Sequence, residues 1–524
     1  MLRFFRYFWS EIHPSWCLYV SFCGVISGIV LTVASGKIFF QHWLWVMAAV
    51  LIIYYCLRCS RRGTLLWALM AGLVIGNFRL APELSGREFL TSMIGRNITI
   101  SGVINNDPET TAGQTTLNLS HLEFITTQEN YAIAGTLYIK LSMNVSLERS
   151  DIVTLQGTLA AGFGTYVGTM YRPELLELRR ADTGDIFARV KQGFAKIVRN
   201  FIPSPAVELG LGYLVGLRSG LPEELSDTLQ AVGMTHVIVA SGAHLGILVG
   251  AARKIFGKLS KFSGLLGSGL LIAGFVLIVG FTPSMTRAAL VSSLSLCFSY
   301  VGRKFTPLRL LIFVAMLTLL FSPLNCLNLG WQLSFASFFA LLIVAPRLQK
   351  LFYGGKKLPW LAGMLLTSLA TTLTCAPILI YNFGTLSLLS FVANLFILPT
   401  LPYAMLLVFL TGATSFWPWL AGIFGKLATL LLEAHIWLVN FLGEKKMFIF
   451  ELPAGDGRVF LVYIVLLALL IWRPLVCFVT RSSSGLSLQA EASSSSPRVD
   501  KSSSLSTGCG MVTKQTTVHL VNKP

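Results

Sequence analysis

Long apolar runs dominate this chain and are interrupted by one stretch of a different pattern. Runs near 18–36, 43–57, 64–80, 234–250, 264–282, 285–302, 306–322, 328–345, 360–380, 385–411, 418–442 and 457–473 are mostly apolar. A bilayer span needs about 20 such residues, so the pattern predicts about ten to twelve spans. Between 92 and 182 the runs stop and alternation with period two takes over, as in Asn97-Ile98-Thr99-Ile100-Ser101-Gly102-Val103. Similar strands are predicted at 115–122, 135–141 and 151–159, with turns at Asn105-Asn106-Asp107-Pro108 and Gly162-Phe163-Gly164. About five short strands in about 90 residues suit a small antiparallel barrel. The fold class predicted is a polytopic α-helical membrane protein with an inserted small all-β, OB-like barrel.

A third pattern covers residues 186–202. Ile186, Phe187, Val190, Phe194, Ile197, Val198 and Phe201 fall on one helical face, and Arg189, Lys191, Lys196 and Arg199 fall largely opposite. That is how a helix lying in the membrane interface reads. Past Arg481 the chain is rich in Ser and poor in apolar residues, a composition predicted to be disordered. The expected organisation is N-terminal spans (1–91), an extracytoplasmic β domain (92–182), an interfacial helix (183–205), a transmembrane domain (206–473) and a tail (474–524).

A hydrophobic content of 54%, with 12% charged residues and a mean hydropathy of +0.70, excludes an ordinary soluble protein. The first span is too long, and too poorly followed by small residues, to be a removable signal peptide, so its retention is expected. Cations cluster at Arg3 and Arg6, at Arg58, Arg61 and Arg62, at Arg253 to Lys261, at Arg303 to Arg309 and at Arg347 to Lys357. Alternating spans put these clusters on one face, which the positive-inside rule makes cytoplasmic and which leaves the β domain outside. The net charge of +18 is therefore mostly topology. Residues 86–200 hold equal numbers of cations and carboxylates, so a spacer or docking role and nucleic-acid binding both remain open for the barrel. The nine cysteines include one Cys56/Cys59 pair and no second pair, which favours juxtamembrane thiols over metal or redox use.

The candidate chemistry centres on Gly233–His244. It sets His236, Ser241, Gly242 and His244 at the start of an apolar run, where polar groups are tolerated mainly facing protein or a water-filled cavity. Between Asp227 and Glu433 there is no Asp or Glu. Carboxylate catalysis and carboxylate-rich metal sites are excluded from that interval, and a path for a polyanion would gain from the same lack. Arg287 stands apart from the loop clusters, one turn into a span. It either snorkels to the interface or faces the bundle and contacts phosphate. Gln332, Ser334, Asn382 and Asn394 interrupt other spans, as interhelical hydrogen bonds or as cavity lining. Ser241 and His244 share a helix face but have no acid to orient the imidazole and no nucleophile-elbow sequence. No Walker A sequence occurs.

Taken together, the segments Gly216–Pro222, Gly233–His236, Ala240–His244, Pro283–Ala289, Gly302–Lys304, Trp331–Phe335, Asn382–Gly384 and Asn394-Leu395 resemble the ComEC family of bacterial competence proteins in order and spacing. The resemblance spans about 206–410 (strong) and, more weakly, the N-terminal spans and the barrel. Ala243 stands where the family usually has Leu. The resemblance implies an inner-membrane channel that passes single-stranded DNA into the cytoplasm during natural transformation. On that view 206–473 is the channel domain, lined by His236, Ser241, Gly242, His244, Arg287, Gln332, Ser334, Asn382 and Asn394. Its partners would be single-stranded DNA, membrane lipid, a separate cytoplasmic ATPase and DNA-binding uptake proteins. No cofactor or metal is implied. Many members carry a C-terminal metallo-β-lactamase-like domain, which this chain is expected to lack: no H-x-H-x-D-H sequence occurs, and the seven histidines are dispersed. The chain is accordingly read as no enzyme. A channel or exporter for another anionic solute is the alternative, and a membrane-embedded hydrolase a third.

Overall fold

The structure, a computed structural model, describes residues 15–35, 61–106, 108–111, 114–125, 130–142, 147–180, 186–217, 220–234, 242–258, 260–302, 306–354, 359–387, 389–444 and 449–451. The predicted spans near 43–57 and 457–473 and the Ser-rich tail lie outside these residues. Five described helices are long and apolar enough to cross a membrane: Lys261–Val279, Leu329–Tyr353, Trp360–Phe383, Leu389–Ala413 and Pro418–Gly443. Apolar helices at Cys17–Val33, Trp67–Leu80, Ala206–Val215 and Pro307–Phe321 are shorter. Two helices that the apolar runs did not mark end at glycines. Ala206–Val215 ends at Gly216 and Glu223–Val232 at Gly233, both left-handed.

The N-terminal helices Ser15–Ser35 and Arg61–Ser92 pack backbone to backbone. Gly24 and Gly28 on one, and Gly72 and Gly76 on the other, occupy the contact. A Cβ on Gly24 would strike the Leu69 carbonyl oxygen, one on Gly72 the Ser21 carbonyl oxygen, and one on Gly28 would stand 2.5 Å from the Leu73 carbonyl oxygen. Two small-xxx-small faces therefore meet, as packing between apolar helices in lipid requires. Asn77 Nδ2 donates to Thr32 Oγ1 across the same interface at 2.7 Å, so this buried amide has a partner.

The region of period-two alternation folds into eight strands: β1 (Asn97–Ile104), β2 (Glu109–Thr111), β3 (Gln114–Ile125), β4 (Asn130–Ile133), β5 (Thr136–Leu141), β6 (Ile152–Ala161), β7 (Tyr166–Tyr171) and β8 (Glu174–Arg179). Five of them close a ring in the order β1-β3-β5-β7-β6-β1, with β5 and β7 parallel and the other pairs antiparallel. Counting those five alone gives 1-2-3-5-4-1, the order of an OB barrel. Closure depends on β1 pairing on both edges, and its register shifts between Ser101 and Val103 where it bends from β3 to β6. Inward positions alternate as the sequence predicts: Ile98, Ile100 and Ile104 on β1, Leu137, Ile139 and Leu141 on β5, all buried. The pattern missed β7, because Tyr166–Tyr171 carries Gly168 and Thr169 at buried positions.

The barrel sits on the ends of bundle helices. Leu80 and Leu90, and Leu324 from the short turn Pro323–Leu327, complete its core. Arg149 donates to the Leu277 carbonyl at the end of Lys261–Val279, and Arg79 donates to the Leu320 and Phe321 carbonyls at the end of Pro307–Phe321. Both cations thus meet the negative ends of helices. The bundle core forms around Ala206–Val215, buried along all its length, with Leu389–Ala413 and Pro418–Gly443 against it. Its Glu208 carboxylate takes both guanidinium N–H edges of Arg199, at 2.9 Å each, from the amphipathic helix Ile186–Arg199. Those hydrogen bonds push the Arg199 pKa above its ordinary value, against the effect of burial.

Gly72→Val is expected to force the N-terminal helices apart and lower unfolding free energy by about 1–3 kcal/mol. Gly193→Ala, whose Cβ meets nothing within 4 Å, is expected to leave stability equal or slightly higher. Denaturant unfolding in detergent measures both, and equal stability of the two variants would remove the close-packing account.

Candidate functional site

The polar helix of the bundle is Pro283–Tyr300. Thr282 caps it by accepting from the Met285 N–H at 3.3 Å, and Pro283 fits the first turn, where no amide hydrogen is needed. Its start follows the helix end that Arg149 of the barrel engages, so its first turns lie on the barrel side of the bundle. Arg287 projects from this helix into protein and is 5% exposed. Of the two readings open from sequence, snorkelling to the interface is thus set aside.

What surrounds Arg287 is unusual for a buried cation. The guanidinium lies over the Phe335 and Phe338 rings, 5.8 and 5.2 Å from their centroids. Its Nε has no hydrogen-bond partner among the described residues. On its other side is Gly242, the first residue of the helix Gly242–Phe256: a Cβ there would stand 2.8 Å from Arg287 Nη2 and 3.2 Å from Ala288 Cβ. Ser284, one turn earlier, has its hydroxyl 3.5 Å from that of Ser334. Gly242, Arg287 and Ser334, three residues singled out from sequence, therefore lie in one neighbourhood of the fold.

Magnitudes decide how well this charge is compensated. Two cation–π contacts contribute about 2 kcal/mol each when desolvated. Removing a guanidinium from water costs several kcal/mol even after relaxation, roughly as much or more. The balance is worsened by the N-terminus of Gly242–Phe256, whose partial positive charge faces the guanidinium. With no carboxylate between Asp227 and Glu433, these residues offer Arg287 no counter-ion.

A second polar string crosses the core nearby. His244 is 1% exposed, with its ring 6.3 Å from that of Tyr213. Tyr213 lies 6.0 Å from His435, whose Nε2 is 2.8 Å from Thr400 Oγ1. His435 Nδ1 and Asn394 Oδ1 are buried without a partner among the described residues. The sequence reading named His244 and Asn394 but missed Tyr213 and His435. An imidazole inside the apolar run of Pro418–Gly443 is the signal that would have found His435.

The remaining candidates are placed differently. Gln332 Nε2 donates to the Cys326 carbonyl at 2.7 Å and ties down the turn Pro323–Leu327. Asn382 Nδ2 bonds the Ile378 carbonyl of its own helix at 2.8 Å and is exposed. His236 and Ser241 lie outside the described residues. The flanks of that stretch are placed: Gly233 lies beside Ser390, 3.3 Å from its would-be Cβ, and Gly242 beside Arg287. Among the described residues no group of three or more His, Cys, Asp or Glu gathers that could hold a metal ion.

Comparison with known proteins adds two findings. Residues 213–476 match the family described as "Competence protein". Over 221 residues the chain is 27% identical to "ComE operon protein 3" of Bacillus subtilis (strain 168), an alignment covering 41% of this chain and 27% of that protein. The chain thus matches about a quarter of the length of that relative. No solved structure matches.

Replacing Arg287 by Met keeps an apolar stem against the two rings and removes the poorly compensated charge. Arg287→Met is expected to raise unfolding free energy by about 1–4 kcal/mol, whereas Gln332→Leu, which strands the Cys326 carbonyl, should lower it by about 1–3 kcal/mol. Thermal unfolding in detergent reads both; destabilisation by Arg287→Met would mean that the charge is satisfied.

Proposed function

Because the chain belongs to the competence protein family, we propose that it conducts single-stranded DNA across the cytoplasmic membrane into the cell during natural transformation. The observation that carries this reading is the pairing of that family match with a bundle whose long carboxylate-free interval holds, among its described residues, one deeply buried arginine. A passing phosphodiester chain meets no fixed negative charge there, and conduction requires contacts favourable enough to enter and weak enough to leave. His236, Ser241, Gly242, His244, Arg287, Gln332, Ser334, Asn382 and Asn394 are the proposed lining.

Two features support an extracytoplasmic barrel that receives DNA. The basic clusters at 253–261 and 303–309 adjoin the helix ends opposite those that hold Arg149 and Arg79, which favours the barrel lying outside. On the barrel, Tyr138, Phe163 and Tyr166 form a cluster with ring centroids 5.2–5.4 Å apart. Phe163 is 49% exposed. The same turn approaches the bundle, since a Cβ on Gly164 would stand 3.8 Å from the Leu327 carbonyl oxygen. Exposed aromatic rings offer bases of any sequence a stacking surface. The interfacial role of Ile186–Arg199 belongs to the same proposal, supported by its exposed Ile186, Val190 and Ile197. A separate cytoplasmic ATPase and other DNA-binding uptake proteins are the proposed partners.

Deleting the gene should block entry of labelled DNA into the cytoplasm while leaving DNA at the cell surface. Arg287→Glu and His244→Asp, at normal protein levels, should reduce transformation sharply. Phe163→Ala should weaken oligonucleotide binding by about 1–3 kcal/mol. Full DNA entry in the deletion strain, with loss of a small-anion flux instead, would replace this reading by one of a channel or exporter for another anionic solute.

A further inference from the structure

We infer that Arg287 and the first turn of the helix Gly242–Phe256 form a binding site for a single phosphate group. Its ligand is one phosphodiester of a passing strand or a free phosphate ion, and only the first of these sources rests on the DNA-conduction reading.

Three observations converge on the site. The first turn of any helix leaves N–H groups without intrahelical acceptors, and this 15-residue helix has no acidic side chain there to take them up. Arg287, 5% exposed and with its Nε unpartnered among the described residues, reaches that helix end. Glycine permits the present approach, since a Cβ at 242 would stand 2.8 Å from Nη2 and push the guanidinium away from the helix end. Two positive ends side by side repel, and an anion bound by both turns both terms favourable.

How the guanidinium is held also matters. Its Cζ lies over the Phe335 and Phe338 rings, and these apolar groups take none of its N–H donors in hydrogen bonds to oxygen. A carboxylate partner would occupy the N–H fork, as Glu208 does with Arg199. Among the described residues no carboxylate takes the fork of Arg287, and a planar fork matches two oxygens of one phosphate. A single such contact lets each phosphate of a strand bind in turn and be released, which a cluster of arginines would resist.

The test uses the full-length chain in nanodiscs of zwitterionic lipid. Inorganic phosphate is titrated by phosphorus NMR, and a fluorescent single-stranded oligonucleotide is compared with its uncharged methylphosphonate counterpart. Gel filtration and thermal unfolding check that each variant is folded. Arg287→Gln should weaken phosphate binding by at least about tenfold. Arg287→Lys should fall between it and the unmodified protein, and Gly242→Ala should weaken binding with the charge unchanged. Should Arg287→Gln fail to fold, Gly242→Ala carries the decision. Absence of phosphate binding, or binding within about twofold of the unmodified protein in the folded variants, overturns the site. Phosphate bound through Arg287 with neither oligonucleotide bound upholds the site for the free ion and counts against DNA conduction. Oligonucleotide binding that ignores both Arg287→Gln and Gly242→Ala overturns the site and leaves conduction standing.

Discussion

A charge needs a partner the more it is withdrawn from water, and four arginines among the described residues are held in three ways. Arg199 pairs edge to edge with Glu208, which fastens the amphipathic helix to the central helix Ala206–Val215. Arg79 and Arg149 donate to carbonyls at helix ends, where the helix dipole favours them, and in doing so seat the barrel on the bundle. Arg287 has neither arrangement. It lies against the beginning of a helix, where the dipole opposes it, and aromatic faces are its main support. Arg79 and Arg149 are thus told apart from Arg287 by which end of a helix they meet.

The barrel and the bundle are tied together at the same level as that unusual charge. Barrel closure follows from one strand pairing on both edges, and Leu324 and the helix Arg61–Ser92 supply part of its core. The aromatic turn at Phe163 adjoins the helix connection at Leu327. Pro283–Tyr300 starts on this side as well, so the barrel's aromatic cluster and Arg287 lie toward the same end of the bundle. A stacking surface for bases above and a contact for phosphate below would use the two chemically distinct parts of one polymer.

Much of the fold was legible because it depends on local pattern. Apolar runs marked most of the helices, alternation marked the strands, and the collinear motifs marked the family. Helix ends were less legible, since Gly216 and Gly233 act through left-handed backbone that a hydropathy pattern does not register. The strand β7 escaped because closure of the barrel buries small and polar residues there.

The candidate site divides in the same way. Sequence by itself determined that the long interval lacks carboxylates and that Arg287 stands apart from the loop clusters, because these are properties of composition along the chain. Only the tertiary structure decided which polar residues share a neighbourhood. It set Gly242 against Arg287 and Ser284 near Ser334, spent Gln332 on a turn and Asn382 on its own helix, and brought Tyr213 and His435 toward His244. The reason is physical: whether a buried polar group is satisfied depends on which helix end or ring lies across from it, and no spacing along one helix carries that information.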